Sequence, residues 1–314
     1  MNGACGRALV GCLVTLCVGC GAAAGTTTGG PAAPAELAAT AGPAAYIGVF
    51  EPGVPLSYEP VAAFTASVGV RPNMLLYYSG WYERFMLSFA RAAHAHGAIP
   101  LVQIDPDHIN LRDIAAGKYD AYLRSYGRAI RMFGHPVVIG FGHEMNGRWS
   151  AWGWTHVSPR VFVAAWRHIV TVIRRAGARN VIWMWTINVI VPYAAAQPRS
   201  WWPGASYVSW VGLDGYFTRP GDSFTSVFVR TIHYVRGLTR KPILLSEVGI
   251  SQVAGKAALL PSLFAGIRRY HLAGLVWFDV RQSGGPYRQD WRLEGHPAAM
   301  AAFRAGVRAL LRRP

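Results

Sequence analysis

Lysine is almost missing from this chain: Lys118, Lys241 and Lys256 are the only three among 314 residues. Acids are scarce too, with 15 Asp plus Glu against 31 Lys plus Arg, so the basic excess is nearly all arginine. It is spread over predicted helices and forms no stripe with interleaved aromatics. That excludes the usual footprint of a nucleic-acid-binding protein, and no nucleic-acid partner is expected. Contact with anionic surface polymers or lipid head groups stays compatible with it. Cysteine is absent beyond position 20. Cys5, Cys12, Cys17 and Cys20 all lie at the N-terminus, so the body of the chain has no disulfide framework to build. No Gly-x-Ser-x-Gly elbow occurs, which weighs against an esterase. No phosphate-binding glycine motif follows the first predicted strand, where Gly48-Val-Phe-Glu-Pro-Gly53 runs into Pro55.

What the N-terminus does contain is Arg7, an apolar run from Ala8 to Val18, and then Gly19-Cys20. The run is too short for a membrane span and fits a secretory signal over residues 1–20. Glycine before cysteine at its end resembles a bacterial lipobox. Cys20 would then be the acylated first mature residue, tethering the protein to the membrane by a lipid anchor on the extracellular side. An ordinary cleaved signal, with free secretion, is the alternative. Residues 21–44 are Ala, Gly, Thr and Pro with one charge, Glu36. Such a stretch cannot bury a core and reads as a flexible linker. The folded domain is expected over 45–314.

From Tyr46 onward short apolar runs alternate with longer helical patterns. Strands are predicted over Tyr46–Phe50, Asn73–Tyr78, Ile99–Asp105, Val137–Gly142, Val181–Asn188, Val208–Phe217, Ile243–Gly249 and Gly274–Val280. Several are continuously apolar, as in parallel strands buried on both faces. Helices are predicted over Glu83–His96, Tyr119–Phe133, Ser158–Gly177, Asp222–Arg236, Ala257–His271 and Pro297–Arg313. Eight strands separated by helices predict an α/β fold, a (β/α)₈ barrel in one domain, with a doubly wound open sheet as the competing topology.

In such a barrel catalytic groups project from the C-terminal ends of the strands. Only seven glutamates occur in the chain, and Glu144 and Glu247 fall at the ends of predicted strands four and seven. Glycosidic bond cleavage needs such a pair of carboxyl groups, one to protonate the leaving oxygen and one to attack or to activate water. His143-Glu144 also invites a zinc reading, but position 147 is Gly where the metalloprotease motif needs a second His. Neither a metal nor an organic cofactor is expected. Asp105 and Asn188 end strands three and five and are candidates for sugar-hydroxyl recognition, as are Tyr78 and Trp81 around the end of strand two. Trp183, Trp185, Trp201 and Trp202 read as packing.

The run GHEMNGRWSAWG over residues 142–153, LLSEVG over 244–249, and LVWFDV over 275–280 followed by DWRLEG over 290–295 together resemble glycoside hydrolase family 26. The resemblance implies a retaining barrel enzyme with Glu144 as acid/base and Glu247 as nucleophile. It further implies His143 beside the acid/base and Tyr216 bonded to the nucleophile. Trp277 would lie under the sugar at the cleavage site, and Trp149 and Trp152 would line the groove. The implied substrate is a β-linked polysaccharide, foremost β-1,4-mannan, with β-glucan and xylan as alternatives. A monomer is expected. A barrel that binds glycan without cutting it is the rival reading of another class.

Overall fold

A computed structural model describes residues 44–190, 196–252, 254–282 and 289–312. The expected signal segment with Cys20, and the expected linker up to residue 43, lie outside the described residues. Eight strands form the centre: β1 (Tyr46–Phe50), β2 (Met74–Gly80), β3 (Ile99–Asp105), β4 (Val137–Phe141), β5 (Val181–Asn188), β6 (Trp210–Phe217), β7 (Ile243–Ile250) and β8 (Gly274–Phe278). Each is parallel to the next, and β8 closes on β1 over the register Tyr46↔Gly274 to Phe50↔Phe278. The open-sheet alternative is thereby excluded.

Two cores follow from the alternation of side chains along strands. Met74, Leu76, Leu101, Val138, Met184, Leu244 and Val276 fill the barrel interior. The other face of each strand packs against helices: α1 (Glu59–Val68), α2 (Leu87–Ala95), α3 (Leu111–Ala115), α4 (Asp120–Phe133), α5 (Pro159–Arg175), α6 (Arg230–Arg236), α7 (Lys256–Arg269) and α8 (Pro297–Leu311). In α5, Phe162, Trp166, Ile169 and Ile173 form one buried stripe. Each such side chain contributes roughly 1.5–3 kcal/mol of burial.

Several elements depart from expectation, among them the short helix α3, which was not predicted, and the predicted helix Asp222–Arg236, which is π-helical over Thr225–Val229 before α6. Helix α1 was not anticipated, although Pro60 suits its first turn and Val61, Phe64 and Val68 make a helical stripe. Helix α2 begins at Leu87 rather than Glu83, because the Glu83 carboxylate folds back to accept the Gly80 amide at 3.0 Å and holds a turn there. Between β5 and β6 the described residues contain a short 3₁₀ turn, Pro198–Trp201.

Above the apolar interior sits a polar layer. Gln103 Nε2 donates to Thr186 Oγ1 at 2.9 Å, and Ser246 Oγ donates to Asp214 Oδ1 at 2.5 Å, all four residues buried. Gly212 makes this layer possible, since a Cβ there would lie 2.4 Å from Ser246 Oγ and 2.5 Å from Thr186 Oγ1.

Candidate active site

The chain leaves β4 through two left-handed residues, Gly142 and Glu144, each at φ 54. A glutamate in that region costs about 1–2 kcal/mol, so its surroundings must impose it. The Gly142 amide donates to Ile104 O on β3 at 2.9 Å, and the Glu144 amide to Thr186 O on β5 at 3.1 Å. Trp152 braces the turn from beneath, donating its indole N–H to His143 O at 2.6 Å. The Glu144 carboxylate is then fixed at both oxygens, by Asn188 Nδ2 on Oε1 and Trp149 Nε1 on Oε2, each at 2.6 Å. Asn146 secures Asn188 in turn, exchanging two hydrogen bonds of 2.9 Å with its backbone.

Glu247 reaches the site because β7 carries a bulge. Leu213 pairs with Leu245 and Asp214 with Glu247, so Ser246 is the extra residue. Tyr216 Oη donates to Glu247 Oε2 at 2.6 Å, and Tyr78 Oη donates a short hydrogen bond to Oε1. One carboxylate oxygen of each of Glu144, Glu247 and Asp214 lies within 4.8 Å of the others. All three residues are buried.

This geometry sets the protonation states. Burial, and then the Glu247 charge, push the Glu144 carboxyl up to about 7, against the opposing pull of His143, Asn188 and Trp149. Burial, then Glu247 and Glu144, carry Asp214 well above the usual carboxylate range. Tyr78 and Tyr216 are likewise raised, by burial first and by Glu247 next, so both phenols stay protonated as donors. Burial opposes a charge on His143, but the Asp105 carboxylate at 2.9 Å outweighs it, with help from Glu247 and Glu144. The imidazole rises to about 9 and is cationic at neutral pH.

Several expected ligand contacts are otherwise engaged. Asp105 is bonded to His143 and Asn188 to Glu144, so both serve the machinery around the acid pair. Trp277 is a correction. It has no exposed surface, packs on Phe303 of α8, and donates its N–H to Asp279 and to Trp291 O. Its place in β8 turns it to the helix layer, so it offers no face to a sugar. Trp152, 4% exposed, is a brace under the turn rather than a groove wall. Trp81, 8% exposed, packs among Tyr119, Tyr122 and Phe141 and is corrected in the same way. Trp149, 52% exposed, does present its ring at the mouth. Its fold-back needs Gly147, where a Cβ would lie 2.3 Å from the indole.

Sequence reasoning missed Asp214 and Asn146. Asp214 had a readable signal, since it stands two residues before Tyr216 on the same strand face. Both oxygens of Glu144 and of Glu247 already accept hydrogen bonds, whereas Asp214 Oδ2 has no partner among the described residues.

The family model described as Glycosyl hydrolase family 26 matches residues 128–292, more than half of the chain, from within α4 to beyond β8 and including Glu144 and Glu247. The chain belongs to glycosyl hydrolase family 26. Among the proteins it resembles, Endoglucanase H from Acetivibrio thermocellus is 27% identical over 273 residues, covering 82% of this chain and 30% of that protein. Beta-1,3-xylanase TXYA from a Vibrio species is 31% identical over 138 residues, covering 44% of this chain and 28% of that protein. The chain thus spans under a third of the length of these relatives. The catalytic domain of the Bacillus sp. JAMB-750 family 26 endo-β-1,4-mannanase superposes with a TM-score of 0.65 at 15% identity, covering 85% of this chain and 86% of that one. At that identity the likeness speaks for the fold alone.

Proposed function

We propose that this family 26 chain is a retaining glycoside hydrolase that cleaves a β-linked polysaccharide through a covalent glycosyl-enzyme intermediate. The observation that carries the reading is the pair Glu144 and Glu247, with oxygens within 4.8 Å of one another and each carboxyl held at both oxygens by hydrogen-bond donors. Inverting enzymes separate their carboxyl groups by about 6.5–9.5 Å to admit a water, and retaining ones by about 5–5.5 Å. Glu247, accepting two phenolic protons, is the carboxylate that attacks the anomeric carbon. Glu144, raised to about 7, is the acid that protonates the leaving oxygen. It then takes a proton from water as the intermediate hydrolyses. Trp149 is the aromatic face beside that acid. Neither a metal nor an organic cofactor takes part.

The first substrate to test is β-1,4-mannan. β-Glucan stands beside it, because the relative matched over 82% of this chain is named an endoglucanase, and β-1,3-xylan completes the panel. Glu247→Ala should abolish turnover on every polymer while glycan affinity persists. Azide should restore cleavage in that variant with inverted product configuration. A wild type that binds but never cleaves any glycan refutes the hydrolase reading in favour of a glycan-binding barrel. We further propose export by the N-terminal signal with Cys20 lipidated and the enzyme a monomer facing the cell exterior. Cys20→Ser should then move activity from membrane to medium.

A further inference from the structure

A second cluster of carboxyl groups lies at the C-terminal ends of β1 and β8. Glu51 directly follows β1, Asp279 directly follows β8, and Glu294 lies in the segment that enters α8. One oxygen of each is within 4.8 Å of the other two. Asp279 is 2% exposed, and its Oδ1 accepts the Trp277 indole N–H at 3.0 Å and the Leu293 amide at 2.8 Å. Ser67 of α1 donates to Glu294 Oε1 at 3.3 Å.

What marks this trio is that two of its three acids keep a buried oxygen without a partner, against one in the catalytic trio. Glu51 is only 8% exposed, and its Oε1 is buried without a hydrogen-bond partner among the described residues, as is Glu294 Oε2. In the catalytic trio both oxygens of Glu144 and of Glu247 are occupied, and Asp214 Oδ2 alone lacks a partner among the described residues. A buried carboxylate oxygen left without a partner is costly, and three acids together repel. The buried Lys256 ammonium is committed to the carbonyls of Asp290 and Arg292.

We infer that Glu51, Asp279 and Glu294 bind one divalent cation of calcium's size, which ties the first and last strands of the barrel to the entry of α8. Oxygen-only, carboxylate-rich donors select a hard cation. Calcium–oxygen distances of about 2.3–2.6 Å place opposed ligands about 4.6–5.2 Å apart, a shell that oxygens within 4.8 Å can share. Magnesium at about 2.0–2.1 Å demands a tighter octahedron. The competing arrangement is a set of shared protons: burial and then Glu294, against the opposing pull of Asp279, push Glu51 up to about 8, while burial, Glu294 and Glu51 push Asp279 up to about 10.

Terbium separates the two, because Trp277 touches Asp279 and would transfer excitation to an ion bound there. Chelator-treated protein titrated with terbium should show tryptophan-sensitised emission that saturates at one ion per chain and is displaced by calcium. Glu294→Gln, at a half-buried position, should weaken terbium binding about tenfold or more, since losing even an outer-shell partner of a metal ligand costs that much. Glu247→Gln should leave it unchanged. Calcium at about a hundredfold its Kd should raise the wild-type melting temperature by about 5 °C or more, and that of Glu294→Gln by much less. No sensitised emission at one ion per chain, emission indifferent to Glu294→Gln, or emission lost in Glu247→Gln instead would each overturn the site.

Discussion

Replacing Glu247 by Gln deletes one negative charge beside Glu144 while keeping the shape of the side chain. The two carboxylates have oxygens within 4.8 Å. Two unit charges at that separation interact by about 3.5 kcal/mol at an effective dielectric constant of about 20, and by about 0.9 kcal/mol if water screens them fully. Converted at about 1.36 kcal/mol per pH unit, the deletion lowers the Glu144 pKa by about 0.6 to 2.5 units from its value of about 7. The partly dry site places the outcome toward the larger figure. Carbon-13 titration of the glutamate carboxyls reads this directly. With seven glutamates in the chain, the resonance that disappears in Glu144→Gln supplies the assignment. The same event occurs in every proposed turnover: once a sugar esterifies Glu247 its charge is gone, and Glu144 becomes a carboxylate able to deprotonate water. A Glu144 that titrates at or above about 7 in Glu247→Gln refutes this coupling and with it the account of how one residue serves as acid and then as base.

Three other outcomes follow from described contacts. The alkaline limb of kcat/KM should break near pH 7 and fall about tenfold per pH unit, because a raised carboxyl pKa means the proton needed for the leaving group is present below about 7 and lost above it; a flat profile from pH 6 to 9 contradicts the assignment. Gly147→Ala drives a methyl into the Trp149 indole, so Trp149 should release Glu144; kcat should fall about tenfold or more at nearly unchanged melting temperature, and unaltered kinetics would show the contact to be dispensable. Trp277→Ala should cost about 3–5 kcal/mol in denaturant unfolding, as for a large buried aromatic, with KM unchanged for whatever enzyme remains folded; a rise in KM without loss of stability would restore Trp277 as a sugar platform.

Much of the barrel was legible because parallel strands buried on both faces are continuous apolar runs, and Val137–Phe141 or Ile243–Leu245 cannot be read otherwise. The glutamate pair was legible because strand ends in this architecture point to one mouth. Facing was harder. Which of Trp277 and Phe278 looks inward depends on the closure register of β8 with β1, a contact between the two ends of the domain that no local pattern records. The β7 bulge hides similarly: a strict period of two places Ser246 and Glu247 on opposite faces, yet both approach Asp214. Helix α1 escaped notice because its stripe is short and proline opens it. The cluster of Glu51, Asp279 and Glu294 joins residues more than two hundred positions apart, so only closure brings it into view.

The left-handed backbone at Glu144 has a bearing on how variants of this protein should be sought. Glu144→Gly or Glu144→Asn would suit that conformation better than the glutamate does, and either would remove a buried acid from beside another. A library ranked by expression level or heat resistance alone therefore exerts a pull away from the one side chain able to hand over a proton. Selection at this position has to be made on product formed, because robustness and turnover ask for different residues at the same Cα.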